Sequence, residues 1–316
     1  MRAKYCKSKN TYTIKDCKNC KCQYYWKQGI GSIHNDNHVS NIVNEDTERV
    51  ETHTASAKTS QEGNVVNINT TRVVPYIPLS DANIDNAISE LLSQDPTGGG
   101  YLPMYGEIGD WDVSGVTDMS FMFHNATSFN QDISNWDVSN VMEMQGMFLN
   151  ASSFNQSIGE WDVSNVNNMN RMFKDASSFN QYIDSWDVSS VTNMSVMFQD
   201  ALSFSQDLNH WQVSLVEDMN GMFYGARAFN GDVSSWDVSS VKNISTMFQY
   251  AFSFNQDISN WNLGNVFNAA SRFIEATSFN QDLSSWNVSG VTNCINFNNG
   301  AITWILPKPN FTSCAI

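Results

Sequence analysis

Apolar positions along the chain follow two regimes that meet near residue 80. Before it, short apolar pieces such as Asn64-Val65-Val66-Asn67-Ile68 show no sustained period. This stretch is rich in Asn, Thr, Lys and Ser, and it predicts a mostly flexible segment over residues 1–78. Beyond it, Ile84, Ala87, Ile88, Leu91 and Leu92 keep helical spacing. They predict an amphipathic capping helix, opened by Ser80 as cap and closed before Pro96. Thr97-Gly98-Gly99-Gly100 breaks that helix, so residues 79–109 read as cap and lead-in.

From there the pattern is translational. Trp111, Trp136, Trp161, Trp186, Trp211, Trp236, Trp261 and Trp286 stand 25 residues apart. Phe129 to Phe279 keep the same beat, with Trp304 in the next equivalent place. A third aromatic column runs from Phe123 to Phe273 and fails at Asn298, while the Val116 and Ala126 columns hold in every unit. The Met119 and Met122 columns are mostly Met and drift in later units to residues such as Ile244, Cys294, Arg272 and Phe297. A side chain that recurs in every copy marks one environment repeated, so residues 110–304 read as eight stacked units, followed by a tail or cap at 305–316.

A period of 25 falls among leucine-rich-repeat lengths, so the expected fold class is a repeat solenoid, leucine-rich-repeat-like. Within each coil the pattern predicts a short parallel strand, around residues 133–138 in the second unit. A short helix or 3₁₀ turn is predicted over 141–148, from the spacing of Val141, Met144, Met147 and Phe148.

Charge sharpens the picture. Residues 1–78 carry 11 Lys+Arg against 7 Asp+Glu, whereas the remainder carries 6 against 25. Acidic repeats repel phosphate backbones, so no nucleic-acid partner is expected. No window is apolar enough to insert in a membrane, and no signal peptide is visible at the start.

Two acidic columns need compensation: Asp112, Asp137, Asp162, Asp187 and Asp237 after the tryptophans, and Asp132, Asp207, Asp232, Asp257 and Asp282 before them. Gln212, Asn262 and Asn287 replace Asp in the first column. An uncharged substitute favours an Asx turn, which needs an acceptor oxygen rather than a charge, over a Ca²⁺ site. The Asn130 column reads as a buried asparagine ladder that satisfies backbone groups. The tryptophans read as core, because eight in a row on one exposed face would be a large apolar patch. Positions just before each tryptophan vary and are the candidate partner contacts: Asn135, Glu160, Ser185, His210, Ser235, Asn260 and Ser285.

Cys6, Cys17, Cys20 and Cys22 could hold Zn²⁺, form disulfides or remain free thiols. Cys294 and Cys314 read as separate, with Cys294 filling an apolar core slot. The histidines stand isolated, no nucleophile motif recurs, and no coil shows a convergent set of unlike residues. The expectation is therefore a non-enzyme with no cofactor.

The string Trp136-Asp137-Val138-Ser139-Asn140-Val141, continued by Met144, Met147-Phe148, Ala151 and Ser153-Phe154-Asn155-Gln156, resembles the 25-residue repeat of BspA-like leucine-rich-repeat surface proteins and mycoplasma-type lipoproteins. The resemblance covers about residues 110–304 and carries no catalytic residues. It implies a right-handed solenoid and a binding or adhesion role, presenting one face to a protein or glycan partner at the cell surface or outside it. A monomer is the expected state. The alternative is a structural protein polymerising through solenoid ends or edges.

Overall fold

The computed structural model describes residues 78–314 in full, together with the backbones of five strands nearer the N-terminus. These are β1 (Lys4–Ser8), β2 (Thr11–Ile14), β3 (Gln23–Tyr24), β4 (Glu48–Ala57) and β5 (Val66–Pro75). The chain divides into two compact units, Met1–Asp46 and Thr47–Ile316. In the first, β1 pairs antiparallel with both β2 and β3. In the second, β4 and β5 form a ten-residue antiparallel ladder from Glu48↔Pro75 to Ala57↔Val66. The stretch read from sequence as mostly flexible thus carries strands, and β-branched residues supply the propensity: Val50, Thr52 and Thr54 on β4, and Ile68, Thr70, Thr71, Val73 and Val74 on β5. Of the four early cysteines, Cys6 is described only as backbone of β1, and Cys17, Cys20 and Cys22 lie outside the described residues.

Helix α1 (Ile84–Gln94) buries Ile84, Ala87, Ile88 and Leu91, the face its spacing predicts. Its cap differs. Asn83 is the capping residue, and its side-chain oxygen turns back to accept the Ser80 N–H at 2.8 Å. Ser80 itself forms a parallel bridge to Gly115, and Leu79 N–H donates to the Asp112 carbonyl at 3.0 Å. The segment before α1 is therefore joined to the first coil as a partial coil of its own. Short strands β6 (Tyr101–Leu102) and β7 (Gly106–Glu107) and a 3₁₀ turn at Ile108–Asp110 lead into the repeats.

Between Trp111 and Cys314 the described residues hold no helix and no strand, only turns and single-residue parallel bridges. The bridges join Asp118↔Glu143, Glu143↔Asn168 and so on to Asn268↔Asn293, one per pair of coils. This corrects the expected strand and helix. Residues 133–138 are broken by turns, with Trp136 N–H donating to the Ile133 carbonyl at 3.1 Å and Val141 N–H to Val138 at 2.9 Å.

The expected helix at 141–148 is instead a run of reverse turns. In the equivalent part of the first coil, Met122, His124 and Ala126 donate three residues back, to Met119, Phe121 and Phe123. The alternate amides of Met119, Phe121, Phe123 and Asn125 donate to the next coil, at Glu143, Gln145, Met147 and Leu149, over 2.8–2.9 Å. Every coil repeats a left-handed residue at two places: Phe121 (φ 58°) and Asn125 (φ 61°) here, Gly146 and Asn150 in the next. Such residues suit the third position of a β-turn and stop an α-helix from propagating. The helical-looking spacing of apolar residues comes from successive turns that face Val141, Met144, Met147 and Phe148 inward.

The core is a set of columns running through all coils. Phe123, Phe148, Phe173, Phe198, Phe223, Phe248 and Phe273 stack successively at 5.4–5.7 Å. Within one coil, Phe148 stacks on Phe154 at 3.9 Å. All these phenylalanines are fully buried, each contributing roughly 1.5–3 kcal/mol by removal from water. The alanine column is buried throughout, consistent with close approach at that point.

One column breaks this chemistry. Arg272 occupies a Met122-column position and is completely buried, with Nε and Nη1 lacking any hydrogen-bond partner. Its guanidinium lies among Phe248, Trp261, Phe273 and Trp286. Burial pulls its pKa well below the usual arginine value.

The last coil is closed by the tail. Leu283 N–H donates to the Pro307 carbonyl at 3.0 Å, and Phe311 packs edge-on against Phe297 at 4.9 Å. Cys294 and Cys314 form a disulfide, with Cα atoms 5.9 Å apart. The reading of Cys294 as apolar filling alone is thereby corrected: its core-facing sulfur sits at the end of the stack, where the returning tail reaches it.

Candidate binding face

From Trp136 to Trp286, each tryptophan of the column links two coils. The indole N–H groups of Trp136, Trp161, Trp186, Trp211, Trp236, Trp261 and Trp286 donate to carbonyls 28 residues upstream, at 2.7–3.2 Å. Their rings are 1–5% exposed. An amphipathic aromatic that buries its body and satisfies its single donor is a structural element, and the column is core.

The acidic columns are held by the local backbone. Asp137 and Asp162 accept the N–H and hydroxyl of Ser139 and Ser164, at 3.1 and 2.6 Å in both coils. Asn262 and Asn287 accept the same amide from Gly264 and Ser289, at 3.1 and 3.3 Å. In the other column Asp132, Asp232, Asp257 and Asp282 each accept the N–H two residues on. The hydrogen bonds from serine side chains, then from the backbone, hold Asp132, Asp137, Asp162, Asp237 and Asp282 below the usual carboxylate range. A third Asx column, Asp118, Asn168, Asn193, Asp218 and Asn243, does the same and was missed in the sequence. Among the described residues no three His, Cys, Asp or Glu groups converge as a metal site.

The asparagine ladder bonds coil to coil. The Asn130, Asn155 and Asn180 side-chain oxygens accept the N–H groups of Asn155, Asn180 and Ser205, at 2.8, 2.9 and 3.0 Å. It lies at the surface, half-buried or exposed, rather than in the interior expected of it. Beside it, Gln156 and Gln181 amides donate to the Asn130 and Asn155 carbonyls. Gly231 replaces Gln there because a Cβ would run into the Gln206 carbonyl.

All seven candidate contact residues before the tryptophans are exposed. Several also tie coils together: Ser185 and Ser285 hydroxyls donate to the Gly159 and Ser259 carbonyls at 2.8 and 2.9 Å, and the Asn260 amide to Ser234 at 2.9 Å. His210 is different. Its ring Nδ1 lies 2.5 Å from Asp184 Oδ2, while its backbone N–H donates to Asp184 Oδ1 at 2.9 Å. The Asp184 side chain is 6% exposed and the His210 ring 82% exposed. The hydrogen bond to Asp184, and then the charge of that carboxylate, raise the histidine's pKa.

Around this pair lies an open groove of about 600 Å³, lined also by Tyr182, Asp187, Ser189 and Gln212. The structure thus assembles a set of unlike residues across two coils where the sequence showed none. The signal was present in the columns. Tyr182, Asp184, His210 and Gln212 are each the single occurrence of their residue type at their repeat position.

These stacked, column-built units define a repeat protein. The chain belongs to the family described as Mycoplasma protein of unknown function, DUF285, whose model matches residues 102–211 and again 192–304. No curated protein and no solved structure matches it.

Proposed function

We propose that the chain is a non-catalytic binding module of the BspA-like, leucine-rich-repeat-like kind, a monomeric solenoid presenting one face to a protein or glycan at the cell surface. The observation that carries this reading is the division of labour at each tryptophan. The ring is constant, buried and bonded to the coil before it, while the residue preceding it is exposed and varies from Asn135 and Glu160 through Ser185 to His210. Variation confined to the surface of a fixed scaffold is how repeat proteins acquire specificity.

Three features support the rest. The Cys294–Cys314 disulfide suits an oxidising, extracellular setting. The excess of acidic over basic residues in the repeats disfavours nucleic acid. Helix α1 at one end and the disulfide-tied tail at the other cover the ends of the stack, favouring a monomer over end-to-end assembly. The test has two readouts: protease shaving of intact source cells, and retention of the labelled chain on immobilised extracellular-matrix proteins and neutral oligosaccharides. Surface exposure with saturable retention supports the reading. A protected chain that no surface retains contradicts it.

A further inference from the structure

We propose that the groove around Tyr182 and His210 is a saccharide-binding site for an uncharged or amine-bearing sugar. The inference rests on the binding reading above and names the ligand class and its place. Repetition makes the site stand out. Single departures occur inside the stack too, as Arg272 and Ile244 show, so what marks this site is that several departures converge on one open groove. Four such departures, Tyr182, Asp184, His210 and Gln212, meet at one groove although they come from two coils.

Its chemistry is that of sugar recognition. Tyr182 replaces the Asp or Ser of its column and leaves its ring 57% exposed, a flat apolar surface for the C–H face of a pyranose. Both donors and acceptors line it: the Asp187 carboxylate, the Gln212 amide, the Ser189 hydroxyl and the His210 imidazole. One Asp187 oxygen accepts the Ser189 N–H at 3.0 Å, and the Gln212 side-chain nitrogen donates to the His210 carbonyl at 3.3 Å. The histidine is pre-oriented. Asp184, 5% exposed, accepts its backbone N–H with one oxygen and faces ring Nδ1 with the other. Ring Nε2, bonded to nothing among the described residues, is left for the ligand. Asp184 is a positioning residue through the oxygen that faces the ring; its backbone bond is common to the repeat, since Asn209 in the next coil likewise accepts the Ser235 N–H at 2.8 Å.

Charge narrows the class. The groove is lined by carboxylates and contains no Lys or Arg, so sialylated, sulfated or phosphorylated glycans are disfavoured. Its volume of about 600 Å³ lies within the range of roughly 300–1,000 Å³ usual for small-ligand sites. Ser185, also on the rim, turns its hydroxyl to the Gly159 carbonyl, so it is not a nucleophile presented to His210.

The experiment measures binding of the full chain to a panel of neutral and amine-bearing oligosaccharides containing glucose, galactose, mannose, glucosamine and N-acetylglucosamine, by calorimetry, with sialylated and sulfated counterparts as controls. Tyr182→Asp and His210→Ser restore residues common in their columns, and both are expected to stay folded at the assay temperature at pH 9, where the contribution of the His210–Asp184 pairing has faded. Binding to at least one neutral or amine-bearing sugar, weakened tenfold or more by each variant, is the expected result. No binding across the panel, equal binding by the variants, or preference for the anionic controls overturns the proposal. If the chain is still retained by an extracellular-matrix protein in those cases, the binding function stands and only the saccharide site falls.

Discussion

The Arg272 guanidinium carbon stands 4.9 Å from the centre of the Trp286 ring and 5.1 Å from that of Trp261, inside a column otherwise built mainly from methionine. The rings offer a buried cation about 2 kcal/mol of cation–π attraction. Against that, two guanidinium nitrogens have lost water and found no acceptor. Each such orphan costs about 1–3 kcal/mol, and more for a charged group. Desolvation outweighs the aromatic contacts. Arg272→Met, restoring the column residue, is therefore expected to raise the unfolding temperature by several degrees in a calorimetric scan. An unchanged or lower value would show that the arginine has a partner in solution.

Acid stability tests the Asx columns. Asp132, Asp137, Asp162, Asp237 and Asp282 have folded pKa values below their ordinary 3.8. Their contribution is therefore complete above that value and is lost as pH falls through the lowered ones. These carboxylates should contribute no change in the unfolding temperature above about pH 5 and a drop below about pH 4. Asp137→Asn with Asp162→Asn retains the acceptor, as Asn262 does naturally, and should make that drop shallower. Ca²⁺ or EDTA at neutral pH should leave the transition in place. A large upward shift with Ca²⁺ would identify the columns as ion sites.

His210 acts with the opposite sign. Its folded pKa is raised above 6.5 by Asp184, so its contribution is complete below 6.5 and fades as pH rises through the raised value. The stability difference between the native chain and His210→Ser should therefore be larger at pH 6 than at pH 9. Equal differences at the two pH values would place the charged pairing outside the folded molecule.

The disulfide closes a loop of 20 residues between Cys294 and Cys314. Loop-entropy arguments assign such a link about 3 kcal/mol. Reduction, or Cys314→Ser, should loosen the last coil first, seen as faster hydrogen exchange at Phe297 and Leu283 while Phe173 is unaffected. Uniform loss of protection would mean that the coils unfold as one body.

The columns were legible because 25-residue spacing repeats the same environment, and Trp161, Phe173 and Ala176 lie buried as that logic requires. Local backbone was not. The spacing of Val141, Met144, Met147 and Phe148 fits a helix and fits equally a series of turns with inward-facing side chains. The better signal was the column Asn125, Asn150, Asp175, Asp200 and Gly225, residues suited to positive φ, which marks a turn in every coil. The Tyr182 and His210 groove was hidden for another reason. Its two halves are about one period apart, 26 residues from Asp184 to His210, and each looks ordinary until aligned beside its column. The disulfide escaped because Cys294 fills a slot where apolar size alone explains a cysteine.

On the proposed function, constant residues build the stack while exposed departures from the columns bind. A fourfold variant separates the two roles: Tyr182→Asp, Asp184→Ser, His210→Ser and Gln212→Asp together, each restoring a residue common in its column. Retention on the surface that holds the native chain should fall at least tenfold, with the unfolding temperature held within a few degrees. Undiminished retention by a folded variant would contradict the account.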